Sequence, residues 1–164
     1  MLSDSSLRIS WIPPSIEGEE WEYFHHPAKQ QFYLKHAITW ETLAASFASG
    51  SLVPYPRSGE LQGVPVINSH HSYDDYCRYL AKAKRGYRLS YNRMESALQS
   101  DGSLTLPAAV IIRAGEEALL FSGYRRLCLA WNYGMVPYVW LLSLAVGGPG
   151  RAATLRGVAP LAIL

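Results

Sequence analysis

The stretch that decides the fold, residues Leu106–Leu142, reads LPAAVIIRAGEEALLFSGYRRLCLAWNYGMVPYVWLL. Two short apolar runs flank the turn Arg113–Glu116 and predict a β-hairpin, because such runs bounded by turn signals are typical of buried strands. The dipeptide Ser122-Gly123 then predicts a tight turn into a helix. The stretch therefore predicts two strands, a helix and a further strand: Ala108–Ile112, Glu117–Phe121, Tyr124–Tyr133 and Val136–Leu142.

The remainder of the chain predicts several helices and one more strand. Ala37–Ser49 has apolar residues at helical spacing, and Thr39 is placed to cap that helix. Val64–Ile67 is a short apolar run in which Pro65 favours an edge strand. Cap and stop signals predict two further helices, at Ser72–Arg85 and Ser90–Ser100. The segment Ser51–Gly63 is rich in Pro, Gly and Ser and predicts a loop.

These elements predict an α+β fold with a small mixed sheet and flanking helices. We expect three segments along the chain: an N-terminal arm at 1–36, a domain with a helical insertion at 37–146, and a flexible tail at 147–164. The arm carries aromatic residues among acids, which predicts that it packs onto the domain.

Composition excludes the disordered and membrane-spanning classes. The chain of 164 residues is 49% hydrophobic and 17% charged, which is typical of one soluble globular domain. No apolar run approaches the roughly 18 residues of a membrane span. The N-terminus also lacks the pattern of a signal peptide. We therefore expect a cytoplasmic protein without a membrane partner.

The net charge of +2 is spread unevenly along the chain. Residues 1–24 are acidic, whereas the second half is basic. A basic second half predicts an anionic partner, with a solvated helix face as the alternative interpretation.

The turn at Ser122–Arg126 is the first candidate site. Gly123 would let the backbone approach a ligand closely, and the first amides of the following helix point outward with a partial positive charge. Arg125 and Arg126 supply guanidinium groups that match phosphate oxygens. Arginines at a helix N-terminus oppose the helix dipole, so an anion is expected to compensate them. The predicted phosphate-binding residues are Ser122, Gly123, Tyr124, Arg125 and Arg126.

A structural interpretation of the same turn remains open. One arginine would pair with Glu116 or Glu117, and the other would lie on the surface.

The same stretch resembles the core of the ParB/sulfiredoxin superfamily, over about residues 88–142. The resemblance rests on an element order with fixed residues: a strand, Gly-x-x-Arg, a helix with an alanine, a glycine, then Val-Pro and a strand. In this chain those positions are held by Gly123, Arg126, Ala130, Gly134 and Val136-Pro137.

The resemblance implies a ParB/sulfiredoxin-like core with an N-terminal extension and a nucleotide site at this turn. Relatives bind CTP in partition proteins, and ATP in sulfiredoxins and in a small kinase branch, so ATP or CTP with Mg²⁺ is the expected ligand. Gly123 and Arg126 match the fixed residues of the motif, and Arg125 matches a common additional arginine. The helix before the core strands often adds polar side chains, here Asn92 or Ser96.

Tyr124 departs from the family pattern. Partition proteins and kinase relatives usually have an acidic residue at this position, and sulfiredoxins have a reactive cysteine there. A tyrosine provides neither a carboxylate base nor a thiol nucleophile, so the resemblance does not imply sulfiredoxin activity.

A second polar cluster contains His70, His71, Asp74 and Asp75, between a predicted strand and a predicted helix. Imidazole and carboxylate groups can bind a metal or perform acid–base catalysis. Capping by Ser72, with both aspartates in the first helical turn, is the alternative interpretation.

The third candidate is a basic stretch with interleaved tyrosines, which is typical of nucleic-acid-binding surfaces. Its expected contact residues are Arg78, Lys82 and Arg85. Tyr76 and Tyr79 at helical spacing equally predict a core stripe.

Together these features predict a nucleotide-binding protein that transfers or hydrolyses a phosphoryl group of ATP or CTP, with a nucleic acid or nucleoside as acceptor. The alternatives are a non-enzymatic DNA- or RNA-binding accessory protein and a metal-dependent nuclease. The sequence leaves open whether the chain forms a homodimer.

Overall fold

A computed structural model describes residues 6–17, 19–67 and 85–144, with the backbone alone at residues 85–89. Within these ranges the helices are α1 (Glu19–Phe24), α2 (Pro27–Lys35), α3 (Trp40–Ser46), α4 (Arg85–Asp101) and α5 (Tyr124–Asn132), and a short 3-10 turn (Phe47–Ser49) follows α3. The strands are β1 (Arg8–Ile12), β2 (Ser51–Pro54), β3 (Glu60–Leu61), β4 (Val64–Ile67), β5 (Ser103–Pro107), β6 (Ala109–Ala114), β7 (Glu117–Ser122) and β8 (Tyr138–Leu144).

Six of these strands form one mixed sheet in the order β2-β8-β6-β7-β4-β3. β6 and β7 pair antiparallel as a hairpin, and β8 lies parallel to β6 on the other side. β4 runs parallel to β7, and the outer strands β2 and β3 are antiparallel to their neighbours. The predicted α+β class with a small mixed sheet is therefore confirmed.

Helices cover both faces of the central strands. Ala109 and Ile111 of β6 face α4 and α5, whereas Val110 and Ile112 face α1, α2 and α3. A strand buried on both faces needs apolar residues at successive positions, which explains the uninterrupted runs in β6 and β7. Each fully buried Leu, Ile or Phe contributes about 1.5–3 kcal/mol of transfer free energy, so this hairpin is the centre of the core.

The arm and the domain share this core. Tyr23 of α1 and Phe32 of α2 lie in the same buried cluster as Phe121 and Leu142 of the sheet. The arm is thus packed onto the domain, as its aromatic residues predict. The boundaries at 36/37 and 146/147 stay predictions, and residues 145–164 lie outside the described ranges.

β1 and β5 form a second, two-stranded parallel sheet. In β1 the residues Ile9 and Trp11 are half-buried against the α4–α5 side of the core, and they alternate with exposed neighbours. Neither strand is predicted from the local sequence, because each needs the other, distant in sequence, as its hydrogen-bonding partner.

The other helix and strand predictions are mostly confirmed. The Thr39 hydroxyl caps α3 by accepting a hydrogen bond from the Thr42 amide at 3.1 Å. The hairpin, the following helix and the last strand form within two residues of their predicted bounds. Val64–Ile67 is a strand, but the prediction of an edge position is wrong, because β4 pairs with β7 on one side and with the short β3 on the other. The predicted helix Ser90–Ser100 extends to Arg85–Asp101.

The loop prediction for Ser51–Gly63 is wrong at both ends. Ser51–Pro54 pairs with β8 and Glu60–Leu61 pairs with β4, so tertiary hydrogen bonding overrides the local turn signals. Most of the predicted helix Ser72–Arg85 lies outside the described residues. None of the helices in the described ranges has both the length and the apolar character needed to cross a membrane.

The stacked rings of Tyr23 and Tyr33 give a test of the arm's packing. Their centroids are 4.4 Å apart, and the Tyr23 hydroxyl donates a 2.6 Å hydrogen bond to the Ile38 carbonyl. The buried Tyr33 hydroxyl has no hydrogen-bond partner among the described residues, and burial raises its pKa.

Tyr23→Phe is expected to lower the free energy of unfolding by about 1–2 kcal/mol, because it leaves the buried Ile38 carbonyl unsatisfied. Tyr33→Phe is the matched control and should change stability by less than about 0.5 kcal/mol, or raise it, since it removes an unpaired buried hydroxyl. Urea denaturation of both variants measures the difference. Equal losses would contradict the hydrogen-bond assignment.

A salt-bridge cluster joins the end of α2 to the β6–β7 hairpin. The Glu117 carboxylate lies 2.7 Å from His36 Nε2 and 2.9 Å from Lys35 Nζ. The hydrogen bond with His36, followed by that with Lys35, lowers the pKa of Glu117 below its ordinary 4.5.

A lowered folded-state pKa stabilises the protein fully above the ordinary value, and this contribution is lost as the pH falls through the folded value. Glu117→Gln should therefore cost up to about 1 kcal/mol at neutral pH, since the pair is partly exposed. The cost should shrink as the pH falls below 4.5 and should disappear once the pH is below the lowered folded-state pKa of Glu117. Denaturation at several pH values measures this trend, with Glu116→Gln on the exposed neighbour as control. A cost that stays constant with pH would show that the carboxylate charge is irrelevant.

Candidate functional site

The candidate site lies where β7 ends and α5 begins. Gly123 is the N-cap of α5 and has a φ of 99°, in the left-handed region that favours glycine. Its carbonyl accepts hydrogen bonds from the amides of Arg126, at 3.1 Å, and Leu127, at 3.3 Å. The sharp bend between strand and helix is therefore as predicted.

The space beside Gly123 is filled by the protein itself. A Cβ at this position would lie 2.6 Å from Ala109 Cβ, 2.6 Å from Arg126 Nη2 and 2.7 Å from Ala109 Cα. Such distances are far below van der Waals contact, so a side chain would collide with β6 and with the folded-back Arg126 guanidinium. The fold itself requires this glycine, and the room for a ligand that the sequence predicts is not next to its Cα.

Arg126 is the central cation of the turn. Its guanidinium is largely buried, and its Nε has no hydrogen-bond partner among the described residues. Burial lowers the pKa of Arg126, the nearby Glu19 carboxylate opposes that shift, and the Arg125 charge adds to it. A buried guanidinium nitrogen without an acceptor is energetically costly, so this arrangement favours an oxygen-rich ligand.

The acidic arm provides the nearest negative charge. Burial raises the pKa of Glu19, while the Ser122 hydroxyl and the Arg126 guanidinium oppose that shift. The Ser122 Oγ lies close enough to influence this carboxylate, yet it is buried without a hydrogen bond of regular geometry in the described part of the chain. Glu22 also faces Glu19 and adds to the upward shift.

A buried lysine attaches the arm to the end of β7. The register of the hairpin shifts between Val110 and Ile111, which leaves Phe121 as the extra residue of a β-bulge. The Phe121 carbonyl accepts a 2.6 Å hydrogen bond from Lys29 Nζ, which also lies 3.1 Å from the Glu22 carboxylate. Lys29 is only 8% exposed. Bulges often re-aim residues next to functional sites, and here the bulge lies directly before Ser122 and Gly123.

Glu22 is already engaged by two partners. Its carboxylate pairs with Lys29 and also lies 2.7 Å from Nε2 of His26, which follows it by four residues. The site therefore combines cations from α5 and α2 with carboxylates from α1.

The structure places the other predicted phosphate-binding residues around the same turn. Arg125 is half-buried, and its charge reaches the Arg126 guanidinium. The Tyr124 ring points into the core side, where it meets Trp131 edge-on at 6.2 Å between centroids. Glu117, one of the two carboxylates that the alternative interpretation offers to an arginine of this turn, binds His36 and Lys35.

The roles of the remaining predicted residues stay predictions. Asn92 and Ser96 lie on the exposed side of α4, where their nucleotide-binding role stays a prediction. Arg85 starts α4, but only its backbone is described. The other predicted residues lie outside the described ranges: His70, His71, Asp74, Asp75, Arg78 and Lys82.

Sequence reasoning missed Glu19, Glu22 and Lys29. The signal was present in the charge distribution, since an acidic arm and a basic second half are electrostatically complementary. Glu19 and Glu22 are also spaced to share one face of a helix. Their helix, however, was not predicted.

Comparisons with protein family models, with curated proteins and with solved structures find no match to this chain. The assignment of the site therefore rests on its geometry and on the resemblance in sequence pattern.

The chemistry available at the turn is anion binding by a desolvated guanidinium. Within the described ranges, no group of three or more His, Cys, Asp or Glu side chains is arranged to hold a metal ion.

Two glycine variants test the crowding at the turn. Gly123→Ala should destabilise the protein by roughly 3 kcal/mol or more, because the left-handed backbone strain adds to a collision with Ala109. Gly134 also has a positive φ, of 72°, but there is open space around its Cα. Gly134→Ala should therefore lower the free energy of unfolding by only about 1 kcal/mol. Thermal or urea unfolding compares the two variants. Similar costs would mean that β6 yields to the added methyl group.

Proposed function

We propose that the chain binds the phosphates of a nucleoside triphosphate at the turn Ser122–Arg126. The observation that carries the proposal is the buried Arg126 guanidinium, whose Nε lacks an acceptor in the described structure, at the N-terminus of a nine-residue helix. A phosphate oxygen would supply the missing acceptor, and the first amides of α5 would add partial positive charge.

The order of elements supports a ParB/sulfiredoxin-like origin for this site. A helix precedes the hairpin, Gly-x-x-Arg follows it, and α5 leads through Val136-Pro137 to a strand parallel to β6. The resemblance is the reason for proposing ATP or CTP as the ligand.

The proposed reaction is transfer or hydrolysis of the terminal phosphoryl group. Arg126 and Arg125 would hold the phosphates and neutralise their charge, so catalysis would rest on positioning and electrostatics. Glu19 or Glu22 would be the carboxylates that hold a Mg²⁺ ion here, and the ion would neutralise further charge on the phosphates. Acid–base roles for His70, His71, Asp74 and Asp75 remain predictions from the sequence.

A panel of ATP, CTP, GTP and UTP, with and without Mg²⁺, tests the proposal through the melting temperature, because a ligand of the native state raises it. Calorimetry then gives the affinity for the best ligand. Arg126→Ala should abolish binding, and Arg126→Lys should weaken it about tenfold or more because the ammonium lacks the bidentate guanidinium fork.

Arg8→Ala provides the matched control, since Arg8 is an exposed arginine in the separate β1–β5 sheet. It should bind like the unmodified protein. The proposal fails if no nucleotide binds the unmodified protein, or if Arg126→Ala binds as well as Arg8→Ala does.

A further inference from the structure

We propose that two copies of this chain pair edge to edge through β1, antiparallel about a two-fold axis at Ser10, and so form a reversible dimer. The surface is the outer edge of β1, the side of Arg8–Ile12 that faces away from β5. The inference goes beyond the phosphate site and is independent of it.

The register of the β1–β5 pair determines which backbone groups of β1 are already used. The Arg8 amide donates to the Gly102 carbonyl at 3.0 Å, and the Ile12 carbonyl accepts from the Ala108 amide at 2.8 Å. Alternate residues of a strand face the same neighbouring strand. Arg8, Ser10 and Ile12 therefore turn their amides and carbonyls towards β5.

Ile9 and Trp11 turn their amides and carbonyls the other way. No residue in the described part of the chain forms a hydrogen bond with these groups. A two-stranded sheet is only marginally stable by itself, and parallel strands are rarely left uncovered. An exposed row of unpaired backbone groups is a template for another strand. The outer edge of β1 is thus suited to receive one.

The outer edges of the six-stranded sheet carry features that prevent such pairing, whereas β1 does not. β2 contains Pro54, which has no amide, and β3 is only two residues long. β1 pairs in regular register from Arg8 to Ile12, with neither a proline nor a bulge. Pro13 and Pro14 follow directly and limit any added pairing to these five residues.

The pattern of β1 is complementary to a second copy of itself. In an antiparallel pair, two opposite residues exchange two hydrogen bonds when their backbone groups point at each other. A two-fold axis at Ser10 places Ile9 opposite Trp11 of the second copy, so every outward amide and carbonyl of both strands is paired. A register shifted by two residues would place Ile9 opposite Pro13, which has no amide.

Side chains and charges also fit this register. Ile9 and Trp11 lie on the half-buried face, where each would meet the other residue of the second copy in a favourable aromatic–aliphatic pair. On the exposed face, Arg8 would lie opposite Ile12, so the only charged residue of the strand does not face its own copy. Ile12 is 47% exposed and would be covered by the aliphatic part of that arginine.

The size of the contact indicates how strong the dimer should be. A pair of five-residue edges is small, and interfaces below roughly 1,200 Å² of total buried surface belong to weak or transient complexes. We therefore expect a dimer that dissociates on dilution, with a Kd on the order of 10–100 µM.

Sedimentation velocity of the full chain, from about 5 µM to about 500 µM, measures this Kd. Ser10→Lys should raise the Kd about fivefold or more, because the two ammonium groups would extend from opposite Cα atoms only about 4.5 Å apart. Ser10 is exposed, so the variant should keep the melting temperature of the unmodified monomer. An equal mixture of Ser10→Lys and Ser10→Glu should associate at least as tightly as the unmodified protein, since opposite charges then face each other.

Thr105→Lys is the matched control. Thr105 is the partner of Ser10 in β5 and is exposed on the same face, so the variant adds the same charge one strand farther from the axis. In the dimer the two added charges would lie three strand spacings apart, about 14 Å, which exceeds the Debye length at physiological salt. This variant should change the Kd by less than about twofold.

Amide hydrogen exchange followed by NMR gives a second measurement that needs no variant. The outward amides of Ile9 and Trp11 should exchange quickly in dilute protein and become protected as the concentration rises. The Ser10 amide faces β5 and is the internal reference, because its protection should not depend on the second copy.

Four results would overturn the inference. One is a monomer at every concentration, and another is a dimer that Ser10→Lys weakens no more than Thr105→Lys does. The antiparallel register is wrong if the mixture with Ser10→Glu associates no better than Ser10→Lys alone. Protection of the Ile9 and Trp11 amides at every concentration would mean that another part of the same chain already covers this edge.

Discussion

Burial of the β6–β7 hairpin on both faces is the constraint on which the other features depend. Because Val110, Ile112 and Phe121 need cover on the face that α4 and α5 do not reach, the arm has to supply α1 and α2. That requirement places an acidic helix beside a basic turn. The juxtaposition of Glu19 and Arg126 is thus a result of how the core is closed.

The site that results contains opposite charges at close quarters. Lys29 joins the bulge carbonyl of Phe121 to the carboxylate of Glu22, which orders the arm at the sheet end. Arg126 lies in the same region with an unsatisfied nitrogen. The end of β7 is therefore a place where a buried cation and an acidic helix meet.

Local patterns predicted the central unit of the fold and the glycine–arginine part of the site, but not the part that the arm contributes. The runs Ala108–Ile112 and Glu117–Phe121, the glycine bend and the position of Arg126 could be derived from the sequence, because each depends on neighbouring residues. β1, β2 and β5 could not, because each becomes a strand only through a partner distant in sequence. For the same reason Glu19 and Lys29 were missed: their role arises from packing of the arm across the sheet.

The contact between Gly123 and Ala109 extends the turn's requirements beyond its own residues. Ala109 is completely buried, and its Cβ occupies the place where a side chain on the glycine would be. The two positions are therefore coupled sterically: a larger residue at position 109 would press against the glycine and displace the bend. A protein that carries Gly-x-x-Arg after a hairpin, but a bulky residue opposite the glycine, would need a different path for its arginine.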